Sequence, residues 1–153
     1  MGLTEFAALF GIIFGLTGAV LGWLGYYRDK PQIVVTLQWD MSTINMPKYD
    51  SKKYWGLVTV TNIGKRPVYI QNAVLKLPKK YDAVLMLFDN ATGTQKLGEG
   101  HPPIFYVIDQ TRLTQYSKDW KKIIAEVKIS SGKIFSSKKA DKNKIPSWVK
   151  KEQ

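Results

Sequence analysis

The chain has 153 residues, a net charge of +11, one histidine and no cysteine. Its length suits one ordinary domain with appendages and excludes two full domains. The absence of cysteine excludes disulfides, thiolate nucleophiles, and zinc or iron–sulfur sites that use thiolate ligands.

The first predicted element is an apolar helix. Residues 6–27 contain no charged side chain, and 22 helical residues span about 33 Å, enough to cross a hydrocarbon core of about 30 Å. Trp23, Tyr26 and Tyr27 lie at the far end, where amphipathic rings prefer the headgroup zone. Residues 1–5 lack a basic side chain and the end of the segment is too bulky for cleavage, so we expect a retained membrane span and not a signal peptide.

The flanking charges predict the orientation of this span. Arg28 and Lys30 follow it directly, whereas only the α-amino group and Glu5 precede it. Cationic residues concentrate on the cytoplasmic side of membrane helices. We therefore expect the N-terminus outside and the remainder of the chain in the cytoplasm.

Small residues recur along one face of the same segment. Their spacing alternates between three and four, which keeps them on one stripe of a helix, and a smooth stripe lets a second helix approach closely. The pattern predicts helix–helix association, with a second copy as the simplest partner and another membrane protein as the alternative. The predicted packing residues are Ala8, Gly11, Gly15, Gly18, Gly22 and Gly25.

The segments after the span predict β-strands. Residues 32–40 alternate apolar and polar side chains, and residues 54–78 indicate two or three strands with a turn at Asn62–Pro67, where Gly64 can take a positive φ. Further strands are predicted at 83–88 and 104–108, and in a hairpin within 121–138 around Ser131 and Gly132. One helical turn is expected at Asp109–Tyr116.

About seven short strands without a long helix predict an antiparallel β-sandwich of immunoglobulin-like type, with a small β-barrel as the alternative. The expected organisation is a transmembrane helix and short linker over residues 1–31, a β-sandwich over 32–137, and a flexible basic tail over 138–153. Only four residues separate the span from the first strand, a reach of at most about 14 Å. The domain is therefore expected to lie against the membrane surface.

The run VTVTNIGKRPVYI, residues 58–70, resembles the strand-turn-strand of small bacterial single-pass membrane-anchored proteins with a β-sandwich domain. The shared pattern V-x-V-x-N-x-G-x-R-P-V-x-I includes Asn62, Gly64, Arg66 and Pro67. Residues 97–108 are similar to a later strand of that family. The resemblance implies a bacterial or phage-related origin and a sandwich, but no activity and no functional residues. The expected location is the bacterial inner (cytoplasmic) membrane.

Basic residues are the main candidates for ligand contacts. Residues 28–153 hold all 23 Lys and Arg residues and 11 of the 12 acids, so they carry 23 − 11 = +12, a charge that favours anionic partners. Plain solvated charge is the alternative interpretation. The candidate anion or lipid-headgroup contacts are Arg28, Lys30, Lys65, Arg66, Lys79, Lys80, Lys121 and Lys122.

No motif predicts catalysis. His101 stands alone between Gly100 and Pro102 and is expected to be a loop residue, and no spacing pairs a general acid with a base. We expect no enzyme activity, no cofactor and no metal.

The leading hypothesis is a single-pass membrane protein whose cytoplasmic sandwich binds a partner and whose helix mediates assembly. The alternative is an antiphage-type effector in which the β domain senses a nucleotide and the helices disrupt the membrane.

Overall fold

The computed structural model describes residues 2–44, 47–81, 83–87, 94–141 and 143–150, with residues 3, 28 and 150 described by their backbone alone. The chain begins with one helix, α1 (Leu3–Arg28). At its first turn the Glu5 carboxylate accepts a hydrogen bond from the Gly2 N–H, 3.1 Å away. The stretch Thr4–Tyr27 is long and apolar enough to cross a membrane, and none of it is buried by the rest of the chain.

An all-β domain follows α1, as its alternating and apolar runs predict. Its strands are β1 (Ile33–Met41), β2 (Trp55–Asn62), β3 (Val68–Lys76), β4 (Val84–Leu87), β5 (Gln95–Leu97), β6 (Ile104–Asp109), β7 (Ile124–Ile129) and β8 (Ile134–Ser136). The 54–78 segment forms two strands. The strand expected at 83–88 is described as far as Leu87, and residue 88 lies outside the described residues.

The strands form two antiparallel sheets. One has the order β1-β2-β6 and the other the order β4-β3-β7-β8, with β5 also paired to β3. When β4 and β5, which pair with the same edge of β3, share one letter and the strands are lettered in chain order, A pairs with B, B with E, C with F and F with G, as in immunoglobulin-like sandwiches. Within the described residues no ladder joins the two sheets. The domain is therefore an open sandwich and not the small barrel considered as the alternative.

The core lies between the sheets and is built from the alternating positions predicted to face inward. Ile33 and Val35 of β1 are buried, as are Ile123, Ala125, Val127 and Ile129 in and beside β7. Val58, Leu75 and Val127 are fully enclosed, and Leu37 and Trp39 pack against the same cluster. Burial of these apolar side chains, not hydrogen bonding alone, holds the two sheets face to face.

Two elements differ from the sequence-based expectation. Strand β5 occupies part of a stretch expected to be a loop, and it lies beside β4 on the same edge of β3. The single helical turn expected at Asp109–Tyr116 is a longer 3₁₀-helical segment, Gln110–Lys122, interrupted at Asp119. It buries Leu113, Tyr116 and Trp120, a spacing of three and four that charged neighbours obscure in the sequence.

The expectation of a flexible tail over residues 138–153 is wrong for its described C-terminal part. A short helix, α2 (Ser147–Lys150), packs against the 3₁₀-helical segment. Trp148 is 4% exposed, and its ring lies edge-to-face with Trp39, centroids 5.7 Å apart. One aromatic side chain therefore docks a segment whose composition is otherwise that of a disordered chain.

Candidate membrane and partner interfaces

The glycine stripe of α1 is open along its length. Apart from adjacent residues and the backbone of α1 itself, a Cβ atom on any of its five glycines, Gly11, Gly15, Gly18, Gly22 and Gly25, would meet no atom within 4 Å. Ala8 is exposed on the same side of the helix. The face is thus a smooth groove that no described part of this chain fills. The structure holds a single chain, so helix packing at these six residues stays a prediction.

Aromatic and basic side chains meet at the end of α1. The rings of Trp23 and Tyr27 lie edge-to-face, 4.9 Å apart. The Lys30 ammonium lies 4.6 Å from the centre of the Tyr26 ring and 4.1 Å from that of Tyr27. Such a combination of rings and a cation is typical of the boundary between hydrocarbon and headgroups. The side chain of Arg28, also predicted to contact anions here, lies outside the described residues.

The β2–β3 turn is attached to the linker that follows α1. The Ile63 N–H donates to the Gln32 carbonyl oxygen at 2.9 Å. Asn62 organises the turn from within, because its buried amide donates to the carbonyl oxygens of Arg66 and Leu97 and accepts from the Gly64 N–H, at 2.9–3.0 Å. The turn therefore has one conformation and lies next to the end of the helix.

Gly64 is needed in this turn for a reason other than the expected one. Its φ is not positive; among described glycines only Gly100 and Gly132 have that conformation. A Cβ on Gly64 would instead lie 3.0 Å from the Gln32 nitrogen and 3.2 Å from the Lys30 carbonyl oxygen. The glycine permits close approach of two backbones.

No protein-family model and no curated protein sequence matches this chain. The strand-turn-strand pattern of residues 58–70 is accounted for by folding. Val58, Val60, Val68 and Ile70 are buried core residues, and the Asn and Gly of the pattern fix the turn. The resemblance to small bacterial membrane-anchored proteins therefore stays a prediction, and the geometry of the chain carries the functional argument.

The predicted basic residues form two groups at opposite ends of the sandwich. Lys30, Lys65 and Arg66 lie at the end nearest α1, hereafter the helix-proximal end. Lys79 and Lys80 follow the other end of β3, and Lys121 and Lys122 precede β7 beside it. The nine residues of β3 separate the ends by about 26 Å. The second group is therefore remote from the membrane that α1 could enter.

Asp119 joins the distal lysines into one cluster. Its carboxylate forms ion pairs with Lys80 and with Lys122, the latter at 2.9 Å. Hydrogen bonds from Lys80 first and Lys122 second lower the pKa of Asp119 to about 2, and the same carboxylate raises the pKa of Lys80. One acid thus compensates part of the positive charge of this cluster.

Aromatic rings border the distal lysines. The ammonium of Lys80 lies 4.6 Å from the ring centre of Tyr81, and that of Lys121 lies 5.8 Å from the Trp120 ring. The Tyr81 and Tyr116 rings are edge-to-face at 4.8 Å. Lysine beside an exposed ring can contact a phosphate and a base, but here Trp120 and Tyr116 are buried. Because these two rings are buried, their main role is to stabilise the 3₁₀-helical segment.

Besides a shallow cleft of about 570 Å³ beside His101, two clefts of ligand size open on the described part of the domain, and none of the three gathers the predicted basic residues. One, of about 580 Å³, is lined by Trp39, Asp40 and the chain around Lys144. The other, of about 620 Å³, lies on the open side between β4 and β6, with Asp109 and Arg112 among its lining residues. His101 is an exposed loop residue, as expected. Within the described ranges no three His, Asp or Glu side chains are placed to hold a metal.

Sequence reasoning missed the residues that organise both ends. Asp119 was not singled out, although acids between lysine pairs are the natural partners of those pairs. Asn62 and Gly64 were expected as turn residues and as part of the resemblance, but their hydrogen bonds and close approach become visible only once β1 lies beside β2. Six of the eight predicted cations are exposed, their contacts with anions stay a prediction, and their division into two ends depends on strand order.

Proposed function

We propose that this is a non-enzymatic single-pass membrane protein whose α1 assembles with a second copy or another membrane protein, and whose β-sandwich binds a partner next to the membrane. The observation that carries the proposal is the open groove on α1. Every described side chain from Thr4 to Tyr27 is exposed, so the chain's own domain does not cover this apolar helix. Lipid suits the bulky faces, whereas a second helix suits the face made of glycine.

The proposed location is the cytoplasmic membrane of a bacterium, with the sandwich in the cytoplasm. The cations after α1 support this orientation, and the resemblance of residues 58–70 supports the bacterial source. Protease added to intact spheroplasts should leave the sandwich uncut and should degrade it after lysis. Degradation before lysis would show that the sandwich lies outside the cytoplasm, opposite to the proposed orientation.

Disulfide crosslinking tests the assembly directly, because the chain has no cysteine of its own. Thr4→Cys places a thiol on the same stripe as the glycines, and Leu9→Cys places one on the opposite face. In membranes treated with a mild oxidant, we expect a disulfide-linked dimer with Thr4→Cys and mainly monomer with Leu9→Cys. Equal crosslinking at both positions would indicate collisions and not a defined interface.

Glycine substitutions then test the groove itself. Gly15→Leu/Gly22→Leu in the Thr4→Cys background fills the stripe and should reduce the dimer at least several-fold, because the backbones can no longer approach. Ile13→Leu/Val20→Leu on a bulky face is the matched control and should leave the dimer unchanged. If the glycine variant crosslinks like the wild-type helix, the proposed interface is wrong.

A second candidate function is the nucleotide-responsive membrane effector. The observation that favours it is the position of Lys79, Lys80, Lys121 and Lys122 at one end of the sandwich, where Lys80 lies over the Tyr81 ring and Asp119 pairs with Lys80 and Lys122. An effector requires a ligand that binds one assembly state more tightly than the other. Full-length protein in dye-loaded vesicles should then release dye when cyclic oligonucleotides are added, and Lys79→Glu/Lys121→Glu should abolish the release. Vesicles that stay intact with every nucleotide tested would refute this function.

A further inference from the structure

We propose that the helix-proximal end of the sandwich is itself a membrane-contact surface, in which Ile63 inserts among the headgroups of an anionic leaflet and Lys65 and Arg66 contact lipid phosphates. This inference rests on α1 spanning the membrane, as in the proposed function. It goes further because it gives the domain one fixed orientation relative to the membrane, with the β2–β3 turn against the lipid. The partner is the leaflet from which α1 emerges.

Chain connectivity brings this turn to the membrane. Four residues separate Arg28 from the start of β1, a reach of at most about 14 Å. The turn is attached to that linker by the hydrogen bond from Ile63 to Gln32 and by the close approach of Gly64 to the backbone of Lys30. The tip of the turn therefore cannot move away from the end of α1 without breaking these contacts.

The turn presents an apolar side chain that the domain does not use. Ile63 is 62% exposed, although the residues on either side, Asn62 and Gly64, are buried and hydrogen bonded to each other. A rigid turn that ends in an exposed isoleucine leaves that side chain in water unless something apolar covers it. The headgroup and upper acyl region is the nearest apolar medium available.

Charge at the same end complements an anionic surface. Lys65 and Arg66 are exposed two and three residues after Ile63, and Lys30 lies over the interfacial rings of Tyr26 and Tyr27. The β7–β8 turn adds an exposed Lys133 and Ile134, and it lies beside the start of β3 through the hydrogen bond from Ser130 N–H to the Tyr69 carbonyl oxygen. Among the described residues, Asp29 and Glu99 are the acids next to this end in the chain. Basic residues next to an exposed apolar side chain are typical of surfaces that bind anionic leaflets.

The absence of native cysteine permits a site-specific test on the full chain. Ile63→Cys and, as a distal control of similar exposure, Met86→Cys are labelled with an environment-sensitive fluorophore. Both are reconstituted in phosphatidylcholine vesicles with and without about 30 mol% phosphatidylglycerol. Lipids carrying a nitroxide high on the acyl chain report contact by quenching.

We expect blue-shifted, nitroxide-quenched emission at position 63 in the anionic vesicles and water-like, unquenched emission at position 86. Lys65→Glu/Arg66→Glu should reduce quenching at position 63 to the level of position 86. Lys52→Glu/Lys53→Glu, an equal change of charge at the distal end, should leave it unchanged. Water-like emission at position 63 would overturn the proposal, and so would a blue shift without quenching, because protein would then cover the site.

Flotation of the vesicles after alkaline carbonate treatment separates this inference from the proposed function. A chain that fails to float has no membrane span, and both proposals fall together. If the chain floats but shows water-like emission at position 63, the membrane span is supported and only the contact surface is refuted. Quenching that is equal with and without phosphatidylglycerol, and unchanged by Lys65→Glu/Arg66→Glu, would overturn the role of the two cations.

Discussion

The Asp40 carboxylate accepts two hydrogen bonds from Ser147, a residue 107 positions later in the chain: one from its N–H at 2.8 Å and one from its hydroxyl at 2.5 Å. Asp40 has a φ of 59° where β1 shifts register against β2. Aspartate tolerates this left-handed conformation better than most residues. The bulge therefore directs a carboxylate away from the sheet, where it caps the first turn of α2.

A double-mutant cycle should measure this link. Asp40→Ala and Ser147→Ala should each lower the free energy of unfolding by about 1.5–3 kcal/mol, because each removes a hydrogen bond to a charged group. The double variant should cost less than the sum of the two, since the second substitution has no partner left to remove. Urea unfolding of the full chain in detergent, followed by tryptophan fluorescence, gives the three values.

Asp141→Asn is the matched control for this cycle. Asp141 lies in the same C-terminal segment, is exposed, and accepts a hydrogen bond from the nearby Asn143 N–H. Its replacement should change stability by no more than about 0.5 kcal/mol. Strictly additive effects of Asp40→Ala and Ser147→Ala would show that the two residues are not coupled.

The strands were predictable from the sequence because burial alternates with a period of two along β1 and β7. The docked C-terminal segment was not, because lysine-rich composition dominates residues 138–153 and a single tryptophan, Trp148, determines the contact. A local pattern reports which face of an element is apolar. It does not report that the partly buried ring of Trp39, near the end of β1, contacts Trp148 in a segment more than a hundred residues later.

Gly56 should be as sensitive as the Asp40–Ser147 link. A Cβ on Gly56 would lie 2.8 Å and 3.0 Å from two carbon atoms of the Trp39 ring, so Gly56→Ala must displace that ring and its contact with Trp148. We expect a loss of about 1–3 kcal/mol of stability from this overpacking. Changed tryptophan emission in the folded state should accompany the loss. An unchanged spectrum with unchanged stability would show that the ring moves aside freely.

Gly64→Ala should loosen the connection between α1 and the domain. The atoms that a Cβ would meet belong to the backbone of Lys30 and Gln32, so the linker must shift, at a cost of about 1–3 kcal/mol. Limited trypsin digestion of the reconstituted chain should then cut after Arg28, at the start of the linker, several-fold faster than in wild type, whereas the Lys30–Pro31 bond resists trypsin in both proteins. Val84→Ala changes an exposed side chain of β4 that is remote from the linker and should leave the cleavage rate unchanged. Equal rates in all three proteins would refute the structural role of Gly64.

The candidate sites show the same division between local and long-range information. The neutral glycine face of α1 follows from the spacing of residues in the sequence alone. The sequence did not predict that Lys65 and Arg66 lie at one end of the sandwich and Lys79 and Lys80 at the other, because that depends on the direction of β3. Nor did it predict that Asp119 lies between Lys80 and Lys122, because one of these pairs joins residues that are far apart in the chain.

The acid response of the domain should report the Asp119 cluster. Two lysines hold the pKa of Asp119 at about 2 in the folded protein, below its ordinary value of 3.8. A carboxyl group whose pKa is lowered by folding contributes stability above its unfolded pKa and loses that contribution as the pH falls through the folded value. The urea midpoint of the wild type should therefore fall between about pH 5 and pH 2, and Asp119→Asn should remove part of that fall. Asp141→Asn, which breaks no ion pair of the cluster, should follow the wild-type curve. If the wild-type and Asp119→Asn curves stay parallel over this range, the lysine pairs do not stabilise the ionised carboxylate in the folded state.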